Sequence, residues 1–201
     1  MTFREFSEKW SALHGGVAVK GIVKGWLKIS YWVAGFTTHA SIITFLGLIF
    51  GAFTFVFAGE WRGVLYLVLS LIADGLDGSV AIRHGRESRF GAVLDAVVDR
   101  IVEVFWALAF IKLGAPVAIV AAAWLAASVQ EYLRARFGGV GVADGLRITI
   151  AERPVRASLL FIAMVRDLLH ISIFSPIVFI WLAMQVYSLI SVARDGYARL
   201  R

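Results

Sequence analysis

Several stretches of this chain are long enough and free enough of charge to cross a lipid bilayer. The first is residues 40–58, which contain no Asp, Glu, Lys or Arg. At about 1.5 Å of rise per residue, a helix of that length approaches the roughly 30 Å thickness of the hydrocarbon core. The chain is 60% hydrophobic, whereas soluble domains are nearer one half. This feature predicts an all-α integral membrane protein.

Five further apolar segments follow the first, so the sequence predicts six transmembrane helices. They begin near residues 63, 90, 115, 154 and 176. We expect residues 37–201 to form one transmembrane domain. Because the chain has no cysteine, disulfides and thiolate metal sites are excluded.

The first 36 residues have a different pattern. Phe3, Phe6, Trp10 and Leu13 recur at helical spacing beside charged residues, and lysines alternate with apolar residues further on. This pattern predicts an amphipathic helix lying in the headgroup plane. An ordinary soluble amphipathic segment is the alternative.

The positive charges are distributed unevenly between the two ends of the predicted spans. The formal net charge is +6, but Lys and Arg flank the apolar segments and form no single patch. Anionic lipid headgroups therefore explain them better than nucleic acid does. Of the 20 Lys and Arg residues, Arg100 lies within a span and only Arg62, Lys112 and Arg166 lie on the side opposite the termini. This bias predicts a plasma-membrane protein with both termini cytoplasmic.

Four aspartates lie within two of these apolar segments. Asp74 and Asp77 are spaced i, i+3, and Asp95 and Asp99 are spaced i, i+4, so each pair shares one helix face. Two antiparallel helices can direct all four carboxylates to one place, where divalent cations would offset their repulsion. An all-oxygen site suits magnesium, manganese or calcium better than zinc. A cation transporter is the alternative from another class, but it predicts acids spread along a route across the bilayer, with repeated halves.

The spacing of these residues resembles the signature of the CDP-alcohol phosphotransferases, integral membrane enzymes of phospholipid synthesis. That signature is D-x-x-D-G-x-x-A-R, eight residues, then G-x-x-x-D-x-x-x-D. The residues in register are Asp74, Asp77, Gly78, Ala81, Gly91, Asp95 and Asp99. Ile82 stands where the motif has Arg, with Arg83 next to it. The family's Thr-Pro-Asn/Asp-x-x-Thr element aligns with residues 39–44, of which only Thr44 matches.

The resemblance implies a role for each matching residue. It implies that the four aspartates hold Mg²⁺ or Mn²⁺, in a two-metal site, and that Asp99 also removes the proton of the acceptor hydroxyl. It places the CDP-lipid donor near Gly78, Ala81, Arg83 and Gly91. It also implies a homodimer. A family member without activity remains an alternative because of Ile82.

A second group of polar residues follows the fourth predicted span. Within the family, its pattern is similar to the phosphatidylinositol-phosphate and archaetidylinositol-phosphate synthases, which use inositol phosphate as acceptor. The matching residues are Tyr132, Arg134, Arg136, Glu152, Arg153, Pro154 and Arg156. The resemblance implies that Arg134, Arg153 and Arg156 hold the acceptor's phosphate; the alternative is that they are positive-inside flanks.

Together these expectations describe one reaction. A phosphatidyl or archaetidyl group moves from a CDP-linked lipid to the hydroxyl of inositol 1-phosphate, and CMP is released. Glycerol 3-phosphate is the alternative acceptor. Because both acceptors carry a phosphate, the arginines do not distinguish them.

Overall fold

The computed structural model of the protein describes residues 1–13, 16–142, 148–171 and 175–200. Within these ranges all regular secondary structure is helical, which confirms the predicted all-α class. The described helices are α1 (Phe3–Leu13), α2 (Gly21–Val33), α3 (Ala40–Val56), α4 (Trp61–His84), α5 (Arg89–Lys112), α6 (Val117–Gly139), α7 (Arg153–Leu168) and α8 (Ser175–Arg199).

Proline and glycine set most of the helix boundaries. Pro116 is the N-cap of α6, Pro154 lies in the first turn of α7, and Pro176 is the second residue of α8. Proline suits these positions because the first amides of a helix have no intrahelical acceptor. Gly85 and Gly114 follow α4 and α5 with φ of 61° and 94°, the left-handed conformation that ends many helices.

Helices α3 to α8 begin within a few residues of the six predicted apolar segments, and α8 continues to Arg199, well beyond the end expected near residue 192. Two of the described helical segments are long and apolar enough to cross a membrane by length and composition, Trp61–His84 and Pro176–Arg199. Helix α3 is also apolar but has only 17 residues.

The N-terminal segment differs from the single helix that was predicted. It forms two helices, α1 and α2, which contact each other. Gly16 and Gly21 have φ of 78° and 54°, a conformation that cannot continue a right-handed helix. The ring centroids of Phe6 and Tyr31 lie 5.3 Å apart, and the Tyr31 hydroxyl donates a hydrogen bond of 2.6 Å to the Met1 carbonyl.

The chain forms two compact units. The first comprises residues 1–51 and 68–102, and the second comprises residues 52–67 and 103–201. In the first unit, the Ser70 hydroxyl of α4 donates a hydrogen bond of 2.9 Å to the Gly47 carbonyl of α3. A Cβ at Gly51 of α3 would lie 3.0 Å from Val102 of α5. Small residues thus let these helices pack closely, as is common among membrane helices.

In the second unit, α6 and α7 both contact α8. The buried amide of Gln185 donates a hydrogen bond of 2.9 Å to Gln130, so the interface of α6 and α8 carries a polar pair. Phe110 and Trp181 stack with their ring centroids 5.2 Å apart. Buried aromatic and amide side chains of this kind fix one packing of the helices.

Candidate active site

Three of the four predicted acids meet in the first unit. One carboxylate oxygen each of Asp74, Asp95 and Asp99 lies within 4.8 Å of the other two, and all three residues are half-buried. Asp74 comes from α4, and the other two lie one turn apart on α5. Carboxylates this close repel one another, and a divalent cation would remove the repulsion. The donor set consists of oxygen alone, so it fits Mg²⁺ or Mn²⁺.

The fourth acid, Asp77, is 6% exposed and is held by two hydrogen bonds. The Thr44 hydroxyl of α3 donates a bond of 2.6 Å to Asp77 Oδ2. The Gly78 amide donates one of 2.6 Å to Oδ1. Asp77 is not among the three acids whose oxygens meet, in the part of the chain that the structure describes. Its part in a metal site remains a prediction.

Thr44 is a further candidate site residue, which the sequence pattern alone does not assign to the site. The signal for it was present, because Thr44 is the one residue of the segment 39–44 that matches the family element. That match does not indicate which residue accepts the hydrogen bond of the Thr44 hydroxyl. The hydrogen bond to Asp77 depends on how α3 packs against α4, which the sequence alone does not reveal.

The predicted donor contacts differ in their surroundings. Gly78 is exposed, and no atom lies within 4 Å of the place where a Cβ would stand, so the backbone is open to a ligand there. A Cβ at Gly91 would lie 3.1 Å from the Ser88 hydroxyl, and Ala81 is half-buried. The role of these residues in holding the donor remains a prediction.

Ile82 and Arg83 both contact the N-terminal helices. Ile82, at the position of the motif's Arg, is 3% exposed and packs in a cluster with Phe6 and Leu27. The Arg83 guanidinium lies 4.1 Å from the centroid of the Tyr31 ring and donates a hydrogen bond to the Tyr31 carbonyl. The predicted donor role of Arg83 remains a prediction, because both of these contacts are with Tyr31 of α2.

Arg134, in the second unit, forms a two-pronged ion pair with Glu152. Its Nη2 lies 2.5 Å from Glu152 Oε1, and its Nη1 donates a bond of 2.9 Å to Oε2. Glu152 Oε1 also accepts bonds of 2.7 Å from the amide and the hydroxyl of Thr149. Burial acts to raise the pKa of Glu152, but the bonds from Arg134 and Thr149 outweigh burial and hold that pKa below its usual range.

Arg156 is only 2% exposed and is held by groups of the protein. Its Nη2 lies 2.6 Å from Glu103 Oε1, and its Nη1 donates a bond of 2.8 Å to the Ala151 carbonyl. A buried guanidinium requires such partners. Arg153 has its Nε 3.9 Å from the same Glu103 oxygen and its guanidinium 5.2 Å from the centroid of the Trp106 ring. A role in phosphate binding remains a prediction for all three arginines.

Known proteins resemble this chain in sequence and in fold. The model of the CDP-alcohol phosphatidyltransferase family matches residues 37–191. The phosphatidylinositol phosphate synthase of Mycolicibacterium smegmatis is 36% identical over 134 residues, which are 60% of this chain and 59% of that protein. The archaetidylinositol phosphate synthase of Pyrococcus horikoshii is 28% identical over 71% of this chain and 76% of its own length.

The structural comparison agrees with the sequence comparisons. The crystal structure of the Mycobacterium tuberculosis phosphatidylinositol phosphate synthase with CDP-DAG bound superposes with a TM-score of 0.67 and 22% identity, over 85% of this chain and 94% of that one. The fold is therefore shared. The chain matches less than two thirds of the length of the M. smegmatis relative.

Proposed function

This chain belongs to the CDP-alcohol phosphatidyltransferase family, and from that premise we propose that it transfers a phosphatidyl or archaetidyl group from a CDP-linked lipid to the hydroxyl of inositol 1-phosphate, with release of CMP. The named relatives support inositol phosphate as the acceptor, because their names describe phosphatidylinositol phosphate and archaetidylinositol phosphate synthases. The related crystal structure, solved with CDP-DAG bound, supports a CDP-lipid as the donor.

The close approach of Asp74, Asp95 and Asp99 is the observation that carries this proposal. These residues stand at motif positions of a phosphotransferase family, and they come together from two helices. A transporter would need acids along a path across the bilayer. Three of the four described acids within the apolar helices of the first unit bring their oxygens together, which supports transfer chemistry at one site.

We assign Asp74, Asp77, Asp95 and Asp99 to a site for Mg²⁺ or Mn²⁺. When bound, the cations would offset the charge of the donor's pyrophosphate and of the departing CMP. Asp99 is the proposed base, accepting the proton of the acceptor hydroxyl as that oxygen bonds to the phosphorus that carries the lipid. The bond from that phosphorus to the CMP oxygen breaks, and the electron pair leaves with CMP. Positioning supplies most of the catalysis in such transfers.

The remaining site residues are assigned to the two substrates. Gly78, Ala81 and Gly91, together with Arg83, are proposed to lie along the CDP portion of the donor. Arg134, Arg153 and Arg156 are proposed to provide positive charge for the acceptor's phosphate, which planar guanidinium groups bind in a bidentate manner.

The membrane arrangement is also a proposal. We place α3 to α8 across the bilayer and α1 and α2 at its cytoplasmic face, as residues 1–36 preceding a domain of residues 37–201. Exposed Ile22, Ile29 and Trp32 lie on α2 near the exposed Lys24 and Lys28, a combination that suits the headgroup region. The Lys and Arg bias supports cytoplasmic termini in a plasma-membrane protein. We further propose a homodimer.

An assay of CMP release tests the proposed reaction. Purified protein in lipid nanodiscs is given CDP-diacylglycerol or its archaeol counterpart, with Mg²⁺ or Mn²⁺ and either inositol 1-phosphate or glycerol 3-phosphate. We expect CMP release that depends on inositol 1-phosphate and on the metal. Exclusive use of glycerol 3-phosphate would overturn the acceptor assignment, and no CMP release with either acceptor would overturn the reaction.

Substituting one acid tests whether the cluster carries the activity. Asp95→Asn keeps the size of the side chain but removes its charge, so we expect turnover to be abolished while the protein still inserts into the membrane. Asp167→Asn is the matched control, because Asp167 lies outside the acid cluster and faces Arg166 at 3.9 Å. Near-normal turnover in Asp95→Asn would contradict the assignment.

A further inference from the structure

The indole ring of Trp26 in α2 lies directly on the backbone of the acid segment of α4. A Cβ added at Gly75 would stand 2.8 Å from Trp26 Cζ2, closer than real side chains approach. Gly75 directly follows Asp74 and precedes Asp77 by two residues. A larger residue at this position would force the indole or the α4 backbone to shift, because the ring lies against the turn of helix that carries both acids.

Trp26 also joins two apolar clusters that lie along α4. One contains Ala34, Ile43, Ala73, Leu76 and Val80. The other contains Phe6, Leu27 and Ile82. Trp26 packs against both clusters, and these clusters include α4 residues on either side of Asp77. Displacing the ring would loosen α4 around that residue.

The C-terminal end of α2 is tied to the end of α4 by polar contacts. The Arg83 guanidinium lies against the Tyr31 ring and bonds its carbonyl. His84 Nε2 lies 2.7 Å from the Ala34 carbonyl, and Arg86 donates a bond of 3.2 Å to the Thr38 carbonyl. These contacts hold α2 in register along α4, so the indole cannot slide away from Gly75.

We propose that Trp26 is a positioning residue, whose indole holds the α4 backbone at Gly75 and thereby sets the direction of Asp74 and Asp77. This inference rests on the proposed function, since it assigns Trp26 a role in the same metal-dependent site. Because Asp74 meets Asp95 and Asp99 from a different helix, a small rotation of α4 about its axis would move its acids relative to those of α5. Mutating a residue that orients a metal ligand, without itself touching the metal, commonly lowers metal affinity by about 10- to 100-fold.

A set of four variants tests this proposal, with Mn²⁺ alone as the probe. The variants are Trp26→Leu, Gly75→Ala, the double variant and Gly25→Ala as control. A Cβ at Gly25 meets no atom within 4 Å. Mn²⁺ affinity is measured by electron paramagnetic resonance on the full chain in nanodiscs, alongside kcat, KM for the acceptor and Tm.

We expect Trp26→Leu to weaken Mn²⁺ binding by about tenfold and to lower kcat, with KM for the acceptor unchanged. Gly75→Ala should cause a similar loss because of the clash. The double variant should be no worse than Trp26→Leu, because the smaller leucine leaves room for the added methyl group. The Gly25→Ala variant should match the wild type in Mn²⁺ affinity, kcat and KM, with a Tm equal to or above that of the wild type, because alanine favours a helix more than glycine does.

Unchanged Mn²⁺ affinity in Trp26→Leu, with or without a lower Tm, would overturn the inference and leave a purely structural role for the ring. Fully additive losses in the double variant would also overturn it. A wild-type protein that binds Mn²⁺ but transfers no lipid group would contradict the proposed function instead, and the Mn²⁺ comparison would still decide the role of Trp26.

Discussion

Asp77 is a buried acid whose one hydrogen bond from another helix comes, among the bonds described above, from the Thr44 hydroxyl. It is 6% exposed, and burying a charged carboxylate is costly unless hydrogen bonds compensate it. The Thr44 hydroxyl provides one such bond, at 2.6 Å. This bond also joins α3 to α4 beside the acid cluster. Loss of the hydroxyl should therefore affect both stability and the position of Asp77.

Replacing the hydroxyl by a methyl group tests this dependence. Thr44→Val preserves the shape of the side chain but removes the donor, so we expect a stability loss of about 1.5–3 kcal/mol, the usual worth of a hydrogen bond to a charged group. We also expect kcat to fall about tenfold, the lower end of the loss commonly seen when a residue that orients a metal ligand is mutated. Thermal unfolding and CMP release measure the two effects.

Thr44→Ser is the control for this prediction, because it retains the hydroxyl and loses only a methyl group. Its kcat should stay close to that of the wild type. An equal loss of activity in the Ser and Val variants would show that packing, rather than the hydrogen bond, is the property that matters at this position.

At the scale of the helix, the start of α7 is fixed by a carboxylate that accepts several hydrogen bonds. Glu152, the N-cap residue of α7, accepts bonds from both ends of the Arg134 guanidinium and from Thr149. A negative charge at a helix N-terminus is also favourable to the helix dipole. Glu152 thus connects α6 to the beginning of α7.

The lowered pKa of Glu152 makes this connection sensitive to acid. Because the folded-state pKa lies below the unfolded one, the ionised carboxylate stabilises the fold fully above the unfolded value. That stabilisation is lost as the pH falls through the lowered value. Thermal unfolding at several pH values should show Glu152→Gln less stable than the wild type at neutral pH, with the gap narrowing in acid.

The matched control is Glu60→Gln. Glu60 also pairs with an arginine, Arg62, but both side chains are 47% exposed, and such pairs contribute little. We therefore expect almost no change in its Tm at any pH. A gap between wild type and Glu152→Gln that stayed constant through the acid range would contradict the assigned ionic role.

At the scale of the whole molecule, the proposed membrane arrangement rests on hydropathy and charge. Of the Lys and Arg residues outside the spans, only Arg62, Lys112 and Arg166 are expected on the side opposite the cytoplasm. An excess of Lys and Arg on the cytoplasmic side orients membrane helices during insertion. The chain contains no cysteine. Single cysteines can therefore report the orientation without any background reaction.

Labelling with a membrane-impermeant maleimide tests the proposed orientation. We expect Ala12→Cys and Ala198→Cys, at exposed positions near the two ends, to react only in inside-out vesicles. Glu60→Cys, in the exposed turn between α3 and α4, should react only in right-side-out vesicles. Labelling of the two terminal cysteines from opposite sides would exclude an even number of spans, and a uniform reversal would invert the proposed orientation.

The sequence by itself determined the helices and the spacing of the acids along them, because both are local properties. Hydrophobic runs, prolines and glycines predict where α3 to α8 begin within a few residues, but they do not predict how far α8 continues. The i, i+4 spacing of Asp95 and Asp99 puts them on one face of any helix. The motif spacing also indicated the family. The glycines that separate α1 from α2 are present in the sequence, but the amphipathic pattern predicts one helix there and does not indicate the break.

Only the tertiary structure decided which groups meet. The contacts that define the site join residues far apart in the chain. They are those of Thr44 with Asp77, Trp26 with Gly75, Ile82 with Phe6 and Leu27, and Arg156 with Glu103. Such contacts depend on the rotation and approach of each helix against its neighbours. Many packings satisfy one hydrophobic pattern, so the pattern cannot select the partner of a given side chain, whereas close packing of the folded helices permits only one.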